Sequence, residues 1–176
     1  PALKTVGPIR RNMGLRTFFN MLGPIVNPAK PAYQLIGVYN LEMARLYNYA
    51  MQSLGNEFTL IHSLDGYDEI SLTSDTKIIS NKGEYIMTPY QLGKRKVFPE
   101  ELYGGNTVEA AADIFKKIIQ GKGSWSQNAV VLANAAMALQ VTGQFENYEA
   151  AFQAAVKSLE SGAANNCLNQ LISLQK

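Results

Sequence analysis

A mostly apolar run of strand length, Tyr33-Gln34-Leu35-Ile36-Gly37-Val38-Tyr39, is followed by a helical pattern and then by a second run, Phe58-Thr59-Leu60-Ile61-His62-Ser63. Nothing else in the chain limits the fold as much. Strands with apolar residues at successive positions belong in a sheet covered on both faces. Asn40 can cap the helix between them, and Gly55 can close it. Leu41, Ala44, Ala50, Met51 and Leu54 fall near one face of that helix. Strand, helix and strand within about 30 residues make a βαβ unit, whose crossover is right-handed in nearly all cases.

Beyond the second strand comes a polar loop, Leu64 to Ser74. Residues 76–81 and 84–89 read as paired strands turning at Asn81-Lys82-Gly83. Pro89 and Pro99 bracket a basic loop, Lys94-Arg95-Lys96. The rest reads as helix. Asn106 and Glu109 have capping-box spacing, and Val108, Ala111, Phe115, Ile118 and Ile119 form the stripe expected to be buried on a helix over 107–120. Residues 126–142 are so rich in Ala, Val, Leu and Met that this helix is expected to be almost wholly buried. A helix over 146–161 should turn Tyr148, Phe152, Ala155 and Leu159 inward, and a last helix should span about 163–174.

Ahead of the strands, residues 7–22 read as two short helices. Gly14 separates them and Gly23-Pro24 stops the second. Asn27-Pro28-Ala29-Lys30-Pro31 is a stiff loop, because two prolines fix the backbone and remove donors. The expected class is α/β: a partial parallel sheet with a βαβ crossover and extensive helical cover, preceded by two short helices from a separate helical domain. Two central parallel strands are few for a sheet so well covered, so further strands are expected from sequence upstream of Pro1. Pro1 itself reads as a start inside a larger gene product.

Composition narrows the function classes. Hydrophobic residues make up 47% of the 176 and charged residues 17%, which suits one globular domain with a real core. Cys167 is the one cysteine. It rules out an internal disulfide framework, fits a reducing, cytoplasmic compartment, and is expected to be a buried structural thiol. No apolar run approaches the roughly 20 residues of a membrane span. The net charge of +2 does not by itself argue for nucleic acid. Charge is uneven, however. Lys4, Arg10, Arg11, Arg16 and Lys30 all precede the first acid, Glu42. That stretch is either an anion-attracting pole or a solvated helix face.

Two places could carry chemistry. Asp65-Gly66-Tyr67-Asp68-Glu69-Ile70-Ser71 puts three carboxylates in a short loop past the C-terminal end of a strand, where open α/β sheets bind ligands. Crowded carboxylates repel one another, and a divalent cation relieves this; Mg²⁺ takes one or two protein carboxylates plus phosphate oxygens. A solvated acidic turn has the same spacing. The second place is Gly7-Pro8-Ile9-Arg10-Arg11 with Arg16, where a planar guanidinium suits a carboxylate or phosphate. Arg10 and Arg11 point to different helix faces, and spacing does not choose between them. His62 lies in an apolar strand without a second ligand and reads as a satisfied core histidine. Trp125 reads as packing and Gly104-Gly105 as a turn. Gly121-Lys122-Gly123 matches no phosphate-binding fingerprint.

The stretch Lys4-Thr5-Val6-Gly7-Pro8-Ile9-Arg10-Arg11, Gly14-Leu15-Arg16-Thr17-Phe18-Phe19-Asn20-Met21-Leu22-Gly23-Pro24 and Asn27-Pro28 resembles the signature of the anthranilate phosphoribosyltransferases. Gln34 to Tyr39, Gly66 to Ser71, Gly104-Gly105-Asn106 and Asn134-Ala135-Ala136 continue the match in order. The resemblance implies transfer of the phosphoribosyl group of 5-phosphoribosyl 1-diphosphate to the amine of anthranilate, with release of pyrophosphate, in tryptophan synthesis. It implies that Arg10 engages the anthranilate carboxylate, that Pro24 lines the anthranilate channel, and that Asp68 and Glu69 hold Mg²⁺ with the diphosphate. It implies a small helical domain, to which residues 1–26 would belong, joined to a large α/β domain containing 27–176. The full-length protein would be a homodimer. The family's glycine-rich diphosphate loop and Lys-His-Gly-Asn motif are not in this sequence, so residues 1–176 alone are expected to be inactive. Two other readings of the residues are a nucleic-acid-binding relative using the basic pole, and a pyrimidine-nucleoside phosphorylase relative.

Overall fold

The computed structural model describes residues 22–175. The chain separates into two compact units, Pro1–Pro31 and Ala32–Lys176. In the first, α1 (Leu22–Ile25) runs through Gly23 and Pro24, the residues expected to stop a helix. Val26 N–H still reaches the Leu22 carbonyl at 2.8 Å. Proline removes only its own donor, so the carbonyls around it can go on accepting. Asn27 Oδ1 then accepts from Ala29 N–H at 3.0 Å, a side-chain turn inside the proline-bounded loop. The two helices expected over 7–22, including Arg10, lie outside the described residues, apart from the last residue, Leu22.

The second unit carries β1 (Tyr33–Gly37), α2 (Leu41–Leu54), β2 (Glu57–Ser63), β3 (Thr76–Ser80) and β4 (Gly83–Met87). Helices α3 (Pro89–Gly93), α4 (Val108–Ile119), α5 (Trp125–Val141), α6 (Tyr148–Glu160) and α7 (Ala163–Leu174) follow, with a 3₁₀ turn at Pro99–Leu102 between α3 and α4. The βαβ unit forms as its caps predict. Asn40 Oδ1 accepts from Met43 N–H at 2.8 Å, and Gly55 sits in the left-handed region at φ 73°. The face of α2 that reaches the sheet is Ala44, Tyr47 and Met51. Leu41 and Leu54 stay exposed because they extend the stripe past the region that anything covers.

The sheet order is β1-β2-β3-β4. β1 pairs with β2 in parallel, Tyr33 opposite Glu57 and Gly37 opposite Ile61. β2–β3 and β3–β4 are antiparallel. The sheet is therefore mixed, with one parallel pair, rather than the expected partial parallel sheet. The link Asn81-Lys82 is too short for a crossover and allows only a hairpin.

Below the sheet, α5 and α6 pack through small residues: Ala129, Ala133 and Ala136 against Ala151 and Ala155, all buried. The Tyr148 hydroxyl lies 2.8 Å from the Leu92 carbonyl and 3.1 Å from the Ala133 carbonyl and shares its one proton between them, tying α3, α5 and α6 together. Tyr148, Phe152, Ala155 and Leu159 all face inward as expected. Four other expectations are corrected. Helix α5 is buried on one face only, with Trp125 and Val131 exposed; high apolar content does not supply a second covering layer. No residue of α4 is buried, and Val108 and Phe115 face solvent. Periodicity marks the face a partner would cover, not the presence of one. The α4 cap is Thr107, whose Oγ1 accepts from Ala110 N–H at 3.1 Å, not Asn106. Cys167 is exposed on α7, not buried.

Candidate functional site

The parallel strands β1 and β2 end side by side at Gly37 and Ser63. Their C-terminal ends carry the acidic turn Asp65–Glu69, and three elements grip its backbone. From β2, Ser63 N–H donates to the Tyr67 carbonyl at 3.0 Å, and Ser63 Oγ donates to the Glu69 carbonyl at 2.6 Å. From β1, Gly37 lies so close that a Cβ built there would stand 1.6 Å from the Asp68 carbonyl oxygen. From α5, Asn134 Oδ1 accepts from Ile70 N–H at 3.0 Å, and Asn134 Nδ2 donates to the Ile70 carbonyl at 2.8 Å.

A buried hydroxyl chain lies beneath the turn. Ser71 Oγ is 3.2 Å from Ser63 Oγ and 2.7 Å from Thr73 Oγ1, and Thr73 Oγ1 donates to Asp65 Oδ2. Each hydroxyl has one proton. With Ser63 donating to Glu69 and Thr73 to Asp65, Ser71 can serve only one of its two hydroxyl neighbours. Asp65 is thus bound into the loop by Thr73. Asp68 and Glu69 are left exposed, and among the described residues neither forms an ion pair.

Partial burial first, and the neighbouring Asp68 charge second, push the Glu69 carboxyl above its ordinary value. A raised folded-state value means that the charged form is penalised in the folded chain. The penalty is absent below the ordinary value of 4.5, grows as pH rises from there towards the raised folded value, and is complete above it. Glu69→Gln is therefore expected to raise the metal-free Tm at about pH 7 and to leave it unchanged at about pH 3, with salt reducing the gain. Thermal scans at the two pH values check this, and an equal shift at both would contradict it.

Of the residues singled out in the sequence, Asp68 and Glu69 share this turn. Pro24 lies half-buried in α1 of the first unit. Arg10 lies outside the described residues, as do Lys4, Arg11 and Arg16. His62 is 6% exposed and bonds through Nδ1 to the Val38 carbonyl at 2.8 Å, which fits its reading as a core residue. Lys94 pairs with Glu149, and Arg95 pairs with Glu101 while lying 4.0 Å from the centre of the half-exposed Trp125 ring. A groove of about 490 Å³ between α5 and α6, lined by Trp125, Asn128 and Phe152, does not include the acidic turn. Among the described residues no group of three or more His, Cys, Asp or Glu side chains could hold a metal alone. The grips from Gly37, Ser63 and Asn134 did not follow from the sequence. The one available signal was an isolated glycine in an apolar strand, which marks a close backbone approach.

The chain is 48% identical over its whole length to the anthranilate phosphoribosyltransferase of Christiangramia forsetii, and covers 53% of that protein. It is 50% identical over 97% of its length to that of Flavobacterium johnsoniae, covering 52%. It spans about half the length of the curated relatives it matches. Among solved structures, the anthranilate phosphoribosyltransferase of Thermus thermophilus superposes with a TM-score of 0.87 at 30% identity, over 98% of this chain and 52% of that one. The Saccharomyces cerevisiae enzyme, solved in complex with PRPP and Mg, shares the fold with a TM-score of 0.87 at 24% identity, over 97% of this chain and 49% of that one. The glycosyl transferase family model, a/b domain, matches residues 1–165, and the chain belongs to that family.

Proposed function

We propose that this chain forms the magnesium-diphosphate end and part of the acceptor end of an anthranilate phosphoribosyltransferase. The observation that carries the reading is the exposed Asp68–Glu69 pair, fixed at the carboxyl ends of two parallel strands in a chain 48% identical to an enzyme of that activity. The donor set fits Mg²⁺, which takes one or two protein carboxylates and completes its shell with phosphate oxygens and water. Asp68 and Glu69 would hold it. When bound, Mg²⁺ offsets the negative charge that gathers on a departing diphosphate.

In the proposed reaction the anthranilate nitrogen forms a bond to ribose C1 as the bond from C1 to the diphosphate oxygen breaks. The electron pair leaves with pyrophosphate, and the amine gives up a proton. The amine is already nucleophilic, so the chain's residues act by placement. Arg10 would orient the anthranilate carboxylate, Pro24 would line the aromatic channel, and the rigid turn would keep two carboxylates aimed at the diphosphate. Residues 1–26 would belong to a helical domain and 27–176 to the α/β domain, in a protein that acts as a homodimer.

Arg10→Ala in the complete natural polypeptide tests the acceptor half of this reading. Loss of a charge-assisted bond of about 1.5–3 kcal/mol should raise the anthranilate KM by about 10- to 100-fold, with the KM for phosphoribosyl diphosphate within about twofold. Equal, small effects on both would contradict it.

A further inference from the structure

We propose that Asn134, in the middle of α5, is a positioning residue for the acidic turn: its side-chain amide sets the direction in which Glu69 presents its carboxylate. The proposal rests on the function proposed above. Asn134 stands 64 residues from Ile70 yet treats it as a neighbouring strand would, accepting from Ile70 N–H at 3.0 Å and donating to the Ile70 carbonyl at 2.8 Å. Its second donor goes to the Val130 carbonyl at 2.9 Å, one turn back on α5, which fixes the amide's orientation.

The grip falls on one particular peptide unit. The carbonyl of Glu69 is held by Ser63 Oγ at 2.6 Å, and the N–H of the same peptide, on Ile70, is held by Asn134. With both ends fixed, that plane cannot rotate, and the Cα of Glu69 is held with it. Gly37 limits Asp68 on the other side. Ile70 is fully buried, so its backbone groups have no water to turn to if Asn134 is removed. Few side chains can do this job. Aspartate offers no donor, serine is shorter, and glutamine is one methylene longer, whereas asparagine matches a backbone donor–acceptor pair in kind and spacing.

The test uses the complete natural polypeptide and reads binding of magnesium pyrophosphate by calorimetry, alongside steady-state kinetics. Asn134→Ala should weaken magnesium pyrophosphate binding by about tenfold or more, as loss of a supporting partner does at metal sites, while the anthranilate KM stays within about twofold. The same substitution added to Asp68→Ala with Glu69→Ala should weaken that binding no further, since nothing would remain to aim. If Asn134→Ala does not fold, Asn134→Asp, which keeps the size and the acceptor but loses both donors, is read in the same way. A loss of thermal stability with magnesium pyrophosphate binding unchanged would reduce Asn134 to a packing residue and overturn the proposal. If the paired Asp68 and Glu69 substitutions themselves leave that binding unchanged, the reading of the turn fails and takes the proposal with it.

Discussion

Gly37→Ala is expected to lower turnover by about 100-fold and the unfolding free energy by roughly 3 kcal/mol in the complete polypeptide. The added methyl would stand 1.6 Å from the Asp68 carbonyl oxygen and 2.7 Å from its carbon. Both are backbone atoms, so no rotamer change relieves the overlap. Either the end of β1 or the acidic turn must move by more than an ångström, and a shift of that size is enough to spoil a placed catalytic group. Gly37 does not have the positive φ that favours glycine, so the effect comes from the collision alone. Gly104→Ala is the control. A methyl there meets nothing within 4 Å, and neither activity nor stability should change appreciably. Urea unfolding and initial rates on both variants settle the comparison. Near-normal activity in Gly37→Ala would mean that the turn does not need its contact with β1.

The second large effect is expected at Leu72, just past the turn. It is fully buried and sits in the left-handed region at φ 59°. A branched residue there costs about 1–2 kcal/mol. The strain is offset by what the side chain reaches: it fills the space above Gly93, where a Cβ would come within 2.3 Å of Leu72 Cδ1. Its carbonyl is fixed by Val97 N–H at 2.9 Å. Leu72→Ala keeps the strained backbone and forfeits the burial, so a loss of about 3–5 kcal/mol is expected. Leu72→Gly forfeits the same burial but releases the strain. At this position glycine should therefore be the less damaging of the two by about 0.5–1 kcal/mol, the reverse of the usual order. Urea titrations of both variants test this. The ordinary order, alanine above glycine, would contradict it.

Legibility in the sequence followed the range of the interaction. The βαβ unit was readable because each part is local: two apolar runs, an asparagine cap and a left-handed glycine within one stretch. The inward face of α6 was readable for the same reason. The burial of α4 was not, because Val108 and Phe115 obey a helical period whether or not anything covers them. The mixed sheet escaped a reading that found both the hairpin and the crossover, since nothing local says that β3 returns to β2. At the candidate site, the acids stood out by spacing, and the resemblance singled out Asp68 and Glu69 among them. What separates Asp65 from that pair is a buried hydroxyl chain, and one of the three grips on the turn comes from an amide 64 residues away from Ile70. Contacts at that separation leave no periodic trace.

The central claim is that Asp68 and Glu69 together hold the metal-bound diphosphate. Crystals of the complete protein grown with Mn²⁺ in place of Mg²⁺ and with phosphoribosyl diphosphate, measured at the manganese absorption edge, test it most directly. The account predicts an anomalous peak bonded at about 2.1 Å to an oxygen of one or both carboxylates and to diphosphate oxygens. A peak bonded to the diphosphate alone, with both side chains turned to solvent, would contradict it.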